Sequence, residues 1–279
     1  MIGEIMKPRL EWDKCLPAHT NAFVEAVMDT QLLLESHGQH LCKRLRPEQK
    51  ATEPITVTES DSIFLRAAVV FLCSTWEAYI EDLLIAAAAF MADTITDTNK
   101  LPKRLRKLIA NTIKEDKDES AVWLLADNGW RESVRRCVER HAGRLNNPKT
   151  ANIAQLYDDL LGIDVLAAWE WEWKPDDGSA SVIFSRENSR SYIDGLVNMR
   201  NAIAHGREPR ADFPCNSFFL VNVAMRMQKV AFLMHNLVND AVAKLCDDKK
   251  PWVVQVRYNP DWHPCCLNLT AEAEEATGK

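Results

Sequence analysis

The sequence predicts an all-α protein, a bundle of helices around one long apolar helix. Three observations carry that prediction. Only 9 of the 279 residues are glycine, as expected where helices carry most of the chain and tight turns are few. Apolar residues recur at three- and four-residue steps from Ser62 to Met91, the period of a helix. A second long pattern of the same kind runs over Asn216–Cys246.

Each element can be justified in order. Thr20 is placed to cap a first helix with apolar positions at Phe23, Ala26, Val27, Leu33, Leu34, Leu41 and Leu45, and Pro47 stops it. Ala51–Thr58 is polar and β-branched and reads as a linker. Thr58-x-x-Asp61 resembles a capping box with Asp in the Glu position. The long helix that follows carries Phe64, Ala68, Phe71, Leu72, Trp76, Tyr79, Ile80, Leu83, Leu84 and Ala87, nearly apolar all round. Such a helix belongs at the centre of a bundle. Asp93–Asn147 changes character, with basic clusters, an acidic patch at Glu115–Glu119 and two or three shorter helices.

Leu156–Trp169 reads as another short helix, and Trp169–Trp173 alternates with period two as in a strand or extended segment. Lys174–Ala180 is a loop. Ser189 or Ser191 can cap the next helix, whose stripe is Tyr192, Leu196, Met199 and Ile203. Gly206 suits the left-handed position past its end, and Pro209 forbids immediate resumption. After the last long helix, Trp252–Tyr258 is a candidate short strand, and the tail past Thr270 is polar. The division expected is an N-terminal helix and linker over 1–59, a helical domain over 60–246 with an insertion at about 93–185, and a C-terminal extension over 247–279.

Composition narrows the function classes. Hydrophobic residues make up 47% of the chain, which excludes global disorder. A net charge of −6 excludes a protein that grips nucleic acid with its whole surface, so any RNA contact must be local. The eight cysteines are scattered with no Cys-x-x-Cys, and read as reduced structural thiols. The longest uncharged apolar runs, Ala67–Trp76 and Leu83–Ala92, are ten residues each; a membrane span needs about twenty. The expectation is a soluble, cytoplasmic chain with no membrane partner. His263-Pro264-Cys265-Cys266 lacks a second Cys/His pair spaced to complete a metal site. There is no Gly-rich phosphate loop, no Gly-x-Ser-x-Gly and no His-Glu-x-x-His, so no metal and no cofactor is expected.

The chemistry concentrates in Leu196-Val197-Asn198-Met199-Arg200-Asn201-Ala202-Ile203-Ala204-His205-Gly206. An apolar helix ends there on a guanidinium, an amide and an imidazole. A cation that cannot titrate beside a base that titrates near neutrality suffices for chemistry on a phosphodiester. The bare spacing recurs at Arg136–His141 and Arg257–His263. The first sits at a capped helix end, with Asn201 after the arginine and small Ala202 and Ala204 leaving room for close approach. Arg136, by contrast, is followed by Cys137 inside a basic helix, and Arg257 lies in a strand-like segment broken by Pro260. On a straight helix Asn201 and His205 share a face, while Arg200 and His205 are about 140° apart. They meet on one phosphate only if the last turn unwinds, or if a second protomer supplies one of them.

Other candidates are electrostatic or aromatic. Lys100, Lys103, Arg104, Arg106 and Lys107 form a basic run, and Arg136, Arg140 and Arg144 lie at four-residue steps along a helix face. Both are candidate RNA paths, and both equally fit a solvated helix face. Trp123, Trp130, Trp169, Trp171 and Trp173 could stack on unpaired bases, anchor an insertion onto the core, or form a strip that docks a partner.

The segment Arg200-Asn201-x-x-Ala204-His205 closely resembles the signature of the HEPN superfamily, whose active members are helical ribonucleases. Arg66-Ala67-Ala68-Val69-Val70 and Trp76-Glu77-Ala78-Tyr79-Ile80-Glu81 resemble the long core helix of its RiboL-PSP group. Asn146-Asn147-Pro148 and Leu160-Leu161-Gly162-Ile163 are similar to that group's middle region, so the likeness covers roughly Ser60 to Cys246. The resemblance implies a HEPN-type bundle and metal-independent RNA cleavage, with Arg200, Asn201 and His205 as the catalytic set. It also implies a homodimer with two motifs across a cleft, and a role as a toxin or antiviral effector with a cognate antitoxin or defence-system partner. Glu77 and Arg66, eleven residues apart, share a helix face. Glu77 either forms a structural salt bridge near Arg66 or reaches Arg200 or His205 as an orienting group. The other reading is a catalytically silent HEPN module that binds RNA, a nucleotide or a protein.

Overall fold

The long apolar pattern becomes the longest helix of the structure. The computed structural model describes residues 17–44, 59–173, 182–207 and 217–252. Within them lie α1 (Ala18–Arg44), α2 (Glu59–Thr94), α3 (Lys103–Glu115), α4 (Gly129–Ala142), α5 (Thr150–Leu161), α6 (Arg186–Ala204) and α7 (Ser217–Leu245). Strands β1 (Trp171–Trp173) and β2 (Val182–Phe184) pair antiparallel, with Trp171 opposite Phe184. The fold is all-α, as expected, with that hairpin the one sheet among the described residues.

At 36 residues α2 is about 54 Å long, and α1, α4, α6 and α7 pack around it. Leu72, Trp76, Ile80, Leu83, Leu84 and Met91 are fully buried along its length. The two buried tyrosines bind helices together because a buried phenol needs an acceptor. Tyr79 donates to the Ala231 carbonyl of α7 at 2.6 Å, and Tyr157 of α5 donates to the Ile80 carbonyl of α2 at 3.1 Å. The Trp76 ring lies 6.0 Å from those of Tyr79 and Trp169, and Phe23 of α1 lies 4.5 Å from Tyr79. Leu105, Val138 and Ile153 of the middle region and Val27 of α1 join the same cluster as Leu196 of α6 and Met227 of α7.

Several local expectations change. Thr20 does not cap α1, which begins at Ala18; it is buried within the first turn, with its hydroxyl 3.2 Å from His235 Nδ1. Thr58 lies outside the described residues, and α2 is helical from Glu59. The helix expected over Leu156–Trp169 starts earlier, at Thr150, and ends at Gly162, whose φ of +70° halts it; Val165–Ala168 is a separate short 3-10 turn. The cap of α6 is neither Ser189 nor Ser191. Ser185 accepts from the Asn188 N–H, while buried Ser189 donates to the Trp169 carbonyl at 3.0 Å. The stretch Trp252–Tyr258 falls outside the described residues except at Trp252, whose backbone N–H and carbonyl both bond the Asn239 carboxamide at 3.1 Å.

The last three residues of the Trp169–Trp173 alternation form a strand, and Trp169 and Trp171 turn toward the fold. Trp169 is fully buried, and half-buried Trp171 stacks on Phe184 with ring centroids 5.0 Å apart. Arg226 of α7 is sandwiched between Phe184 and Tyr192, 4.5 and 3.8 Å from their centroids, a cation–π anchor for the hairpin. Trp169 and Trp171 therefore pack into the fold, while the Trp173 side chain lies outside the described residues.

By length and composition Ser62–Thr94 could cross a membrane, unlike the ten-residue runs counted in the sequence. Half of its most apolar window is buried inside the fold, as in the core helix of a bundle. Glu77, Glu81 and Asp82 interrupt it, and burial raises all three carboxyls above their ordinary range.

Candidate functional site

The motif occupies the last two turns of α6, and the local sequence explains how that helix starts and stops. Ser185 caps its beginning and Glu187 lies in its positive first turn. At the far end Gly206 has a φ of +64°, the Arg207 N–H bonds the Ala202 carbonyl at 2.8 Å, and the Gly206 N–H bonds that of Ile203 at 3.0 Å. This is a Schellman ending, for which a residue without a Cβ is favoured. His205 is the residue at the helix boundary, and its N–H still bonds the Asn201 carbonyl at 3.1 Å. The last turn therefore stays wound up to His205.

That winding separates the motif's side chains. Arg200 points inward. Its Nη2 donates to the Asn146 carbonyl at 3.2 Å and lies 3.8 Å from Glu77 Oε2, with the two side chains 23% and 26% exposed. The Cys73 thiol, one turn before Glu77 on α2, completes the surroundings. Burial raises that thiol's pKa, while the hydrogen bond and charge of Arg200 pull it down. Burial likewise raises the Glu77 carboxyl against the opposing pull of Arg200. His205 is exposed at the helix end, and Asn201 is partly buried between them. Among the described residues no hydrogen bond links Arg200, Asn201 and His205 through their side chains.

Of the two expectations for Glu77, the structure places it against Arg200. Arg66 is exposed about three turns nearer the start of α2. The Asn146 loop between α4 and α5 is a further wall of the site. It is held to α6 a second time, where Asp194 accepts from the Thr150 N–H at 2.8 Å and from its hydroxyl at 2.9 Å. Cys73 could have been suspected from its place one helical turn before Glu77. Asp194 and the Asn146 carbonyl carry no such signal, because their partners are distant in sequence.

The basic candidates fall into two groups. Arg104 pairs with Asp158 and Asp159 of α5, and Arg136 with Glu132 one turn back at 2.8 Å, so both charges are already partnered. Lys103, Lys107, Arg140 and Arg144 are exposed and make no ion pair among the described residues. The expected helix face of Arg136, Arg140 and Arg144 is incomplete, because α4 ends at Ala142 and Arg144 lies in the turn beyond. That turn carries Arg144 to within two residues of Asn146, beside the motif. Trp123 is exposed, whereas Trp130 is half-buried with Arg131 stacked on it at 4.6 Å. Arg257 and His263 lie outside the described residues, and His141 is engaged through Nδ1 with the Cys137 carbonyl at 2.8 Å. Among the described residues no three His, Cys, Asp or Glu side chains converge as metal ligands.

An all-α bundle in which α6 ends on Arg-Asn-x-x-Ala-His is the class these observations define. The model of the RiboL-PSP-HEPN family matches residues 39–214, well over half of the chain, and the chain belongs to that family of the HEPN superfamily. No curated protein and no solved structure matches it. The match begins within α1 and stops short of α7, although the structure packs all of these helices into one core. Membership is consistent with a nuclease or RNA-binding role.

Proposed function

We propose that the chain is a metal-independent endoribonuclease that acts as a homodimer. The observation that carries this reading is the pairing of an exposed imidazole, His205, with a guanidinium one and a half turns away that Glu77 and the Asn146 carbonyl hold in a fixed direction. His205 takes the proton from a ribose 2′-hydroxyl as its oxygen attacks the adjacent phosphorus, or gives a proton to the departing 5′-oxygen. Arg200 stabilises the negative charge that builds on the phosphoryl oxygens. Asn201 orients the imidazole or the phosphate. The products carry a 2′,3′-cyclic phosphate and a 5′-hydroxyl.

A second copy of the chain supplies the convergence that one protomer lacks. The last turn of α6 remains wound, so Arg200 and His205 diverge within a chain. Along α2, Ile63, Phe64, Ala67, Val70, Phe71 and Ala78 are exposed at helical steps, with Ile63 62% and Phe64 50% exposed. Val70 and Glu77 are seven residues apart and so lie on one side of α2. The apolar stripe thus runs up to the acidic partner of Arg200, and a second protomer on it brings two motifs face to face. Lys103, Lys107, Arg140 and Arg144 are the cations for the RNA backbone on an otherwise acidic protein. A toxin or antiviral role, restrained by an antitoxin or defence partner, suits an enzyme that cuts cellular or invading RNA.

The engagement of Arg200 favours the second reading, a silent module that binds RNA, a nucleotide or a protein. With Glu77, the Asn146 carbonyl and the Cys73 thiol around it, the guanidinium serves as a bolt between α2, α6 and the loop before α5. Wild-type and His205→Ala proteins incubated with mixed tRNA and mRNA in EDTA separate the two. Cleavage by wild type alone, leaving cyclic phosphate ends, supports the ribonuclease. RNA binding without cleavage by either protein supports the silent module.

A further inference from the structure

We propose that Asp194 is the positioning residue for Arg200, acting through the backbone of the Asn146–Thr150 segment. The consequence for catalysis rests on the ribonuclease reading above; the mechanical link does not. Asp194 and Arg200 are six residues apart on α6, about 9 Å along the axis and pointing about 120° apart. They cannot touch, yet each grips the same short segment. Asp194 holds its end through two hydrogen bonds to Thr150, at 2.8 and 2.9 Å, and Arg200 holds its start through the Asn146 carbonyl at 3.2 Å.

The segment between the two grips has little slack. The Asn146 N–H bonds the Arg144 carbonyl, the Lys149 N–H bonds that of Asn147, and Asn152 Nδ2 donates to the same Asn147 carbonyl, each at 2.8 Å. Pro148 is buried and its ring fixes one backbone torsion. Helix α5 begins here with no cap of its own, because Lys149 offers no side-chain hydrogen bond. The first N–H groups of a helix need an acceptor, and a carboxylate there also meets the positive end of the helix dipole. Asp194 supplies both from another helix. Arg190 Nε also reaches the Thr150 hydroxyl, at 3.5 Å. Without Asp194 the first turn of α5 is left with that long contact, the Asn146 carbonyl shifts, and Arg200 keeps the more distant Glu77 carboxylate and the weak thiol. A guanidinium is a planar fork, so the direction of its acceptors decides which edge it presents to a phosphate.

The full-length chain is compared with Asp194→Ala, Asp194→Asn and Thr150→Val, each checked for an intact thermal unfolding transition. Two quantities are read: the Arg200 Nε–H resonance, assigned with Arg200→Lys, and kcat and KM for RNA. Asp194→Ala is expected to move the Arg200 resonance and to lower kcat by about ten- to a hundredfold, with KM little changed. Asp194→Asn still offers an oxygen to the Thr150 N–H and is expected to restore both. Thr150→Val removes one of the two Asp194 bonds together with the long Arg190 contact, shifts the resonance less, and serves if Asp194→Ala does not fold. A folded Asp194→Ala protein with an unmoved Arg200 resonance overturns the proposal whether or not RNA is cut. A moved resonance, with wild-type protein itself cleaving no RNA, upholds the link from Asp194 to Arg200 and sinks the ribonuclease reading instead.

Discussion

Arg200 Nη2 on α6 stands 3.8 Å from Glu77 Oε2 on α2, and each side chain is about three-quarters buried. The distance is that of an ion pair without a hydrogen bond, so the carboxylate contributes charge and direction. Burial raises the Glu77 carboxyl. A carboxyl with a raised folded pKa stabilises the fold most when protonated, and that contribution fades as pH rises through the raised value. Glu77→Gln, neutral at all pH, is therefore expected to leave the melting temperature within a few degrees of wild type. RNA cleavage is expected to fall about tenfold, because Arg200 loses its acidic neighbour on α2. Equal activity in the two proteins would reduce Glu77 to a packing residue.

The exposed apolar stripe of α2 makes a prediction about assembly. Phe71 is 46% and Val70 41% exposed, and neither side chain is buried in the protomer's core. Val70→Asp and Phe71→Asp are expected to leave thermal stability within about 1 kcal/mol and to convert a dimer to a monomer by light scattering. Cleavage should disappear together with the dimer. A monomeric variant that cuts RNA at the wild-type rate would place Arg200 and His205 on one phosphate within a single chain.

Acid should loosen the junction of α1, α7 and the segment after it. His19 lies 5.9 Å from His235 and 5.1 Å from Trp252, ring centroid to centroid. Tyr79 and the His235 imidazole lie beside it, and among the described residues no carboxylate is paired with it. Burial, and then the charge of His235, lower its pKa from 6.5 to about 4. The unfolded chain thus takes up this proton first. The stabilisation is complete above about pH 6.5 and is lost as pH falls through about 4. The loss amounts to at most about 3 kcal/mol. Denaturant titrations across that window should show the slope, and His19→Phe should flatten it. A parallel slope in the variant would assign the acid sensitivity elsewhere.

Gly206 separates conformational from steric cost. A Cβ there would meet nothing within 4 Å, but the backbone φ is +64°. Gly206→Ala is therefore expected to destabilise by about 1 kcal/mol from backbone strain alone. The same change should disturb activity through the neighbouring His205 while Arg200, six residues back, keeps its contacts. A cost several times larger would mean that residues beyond Arg207 pack on this corner.

The sequence by itself determined the helical class, the central place of α2 and the end of α6. Each is written in local terms: a 3.6-residue period from Ser62 to Met91, and a glycine free to take a positive φ just past Ala204. The catalytic candidates were also legible, because Arg200, Asn201 and His205 stand together in one short signature. Local signals misled where a tertiary partner competed for the same group. Ser189 has the composition of a cap, yet it bonds the Trp169 carbonyl, and Thr20 reaches His235 instead of starting α1. Only the tertiary structure decided that Arg200 faces Glu77, Cys73 and the Asn146 carbonyl, and that Asp194 caps α5. Those contacts join residues 44 to 127 positions apart, which no periodicity encodes. They are fixed by how the helices pack, since a buried guanidinium or an uncapped helix end takes whichever acceptor the packing brings within reach.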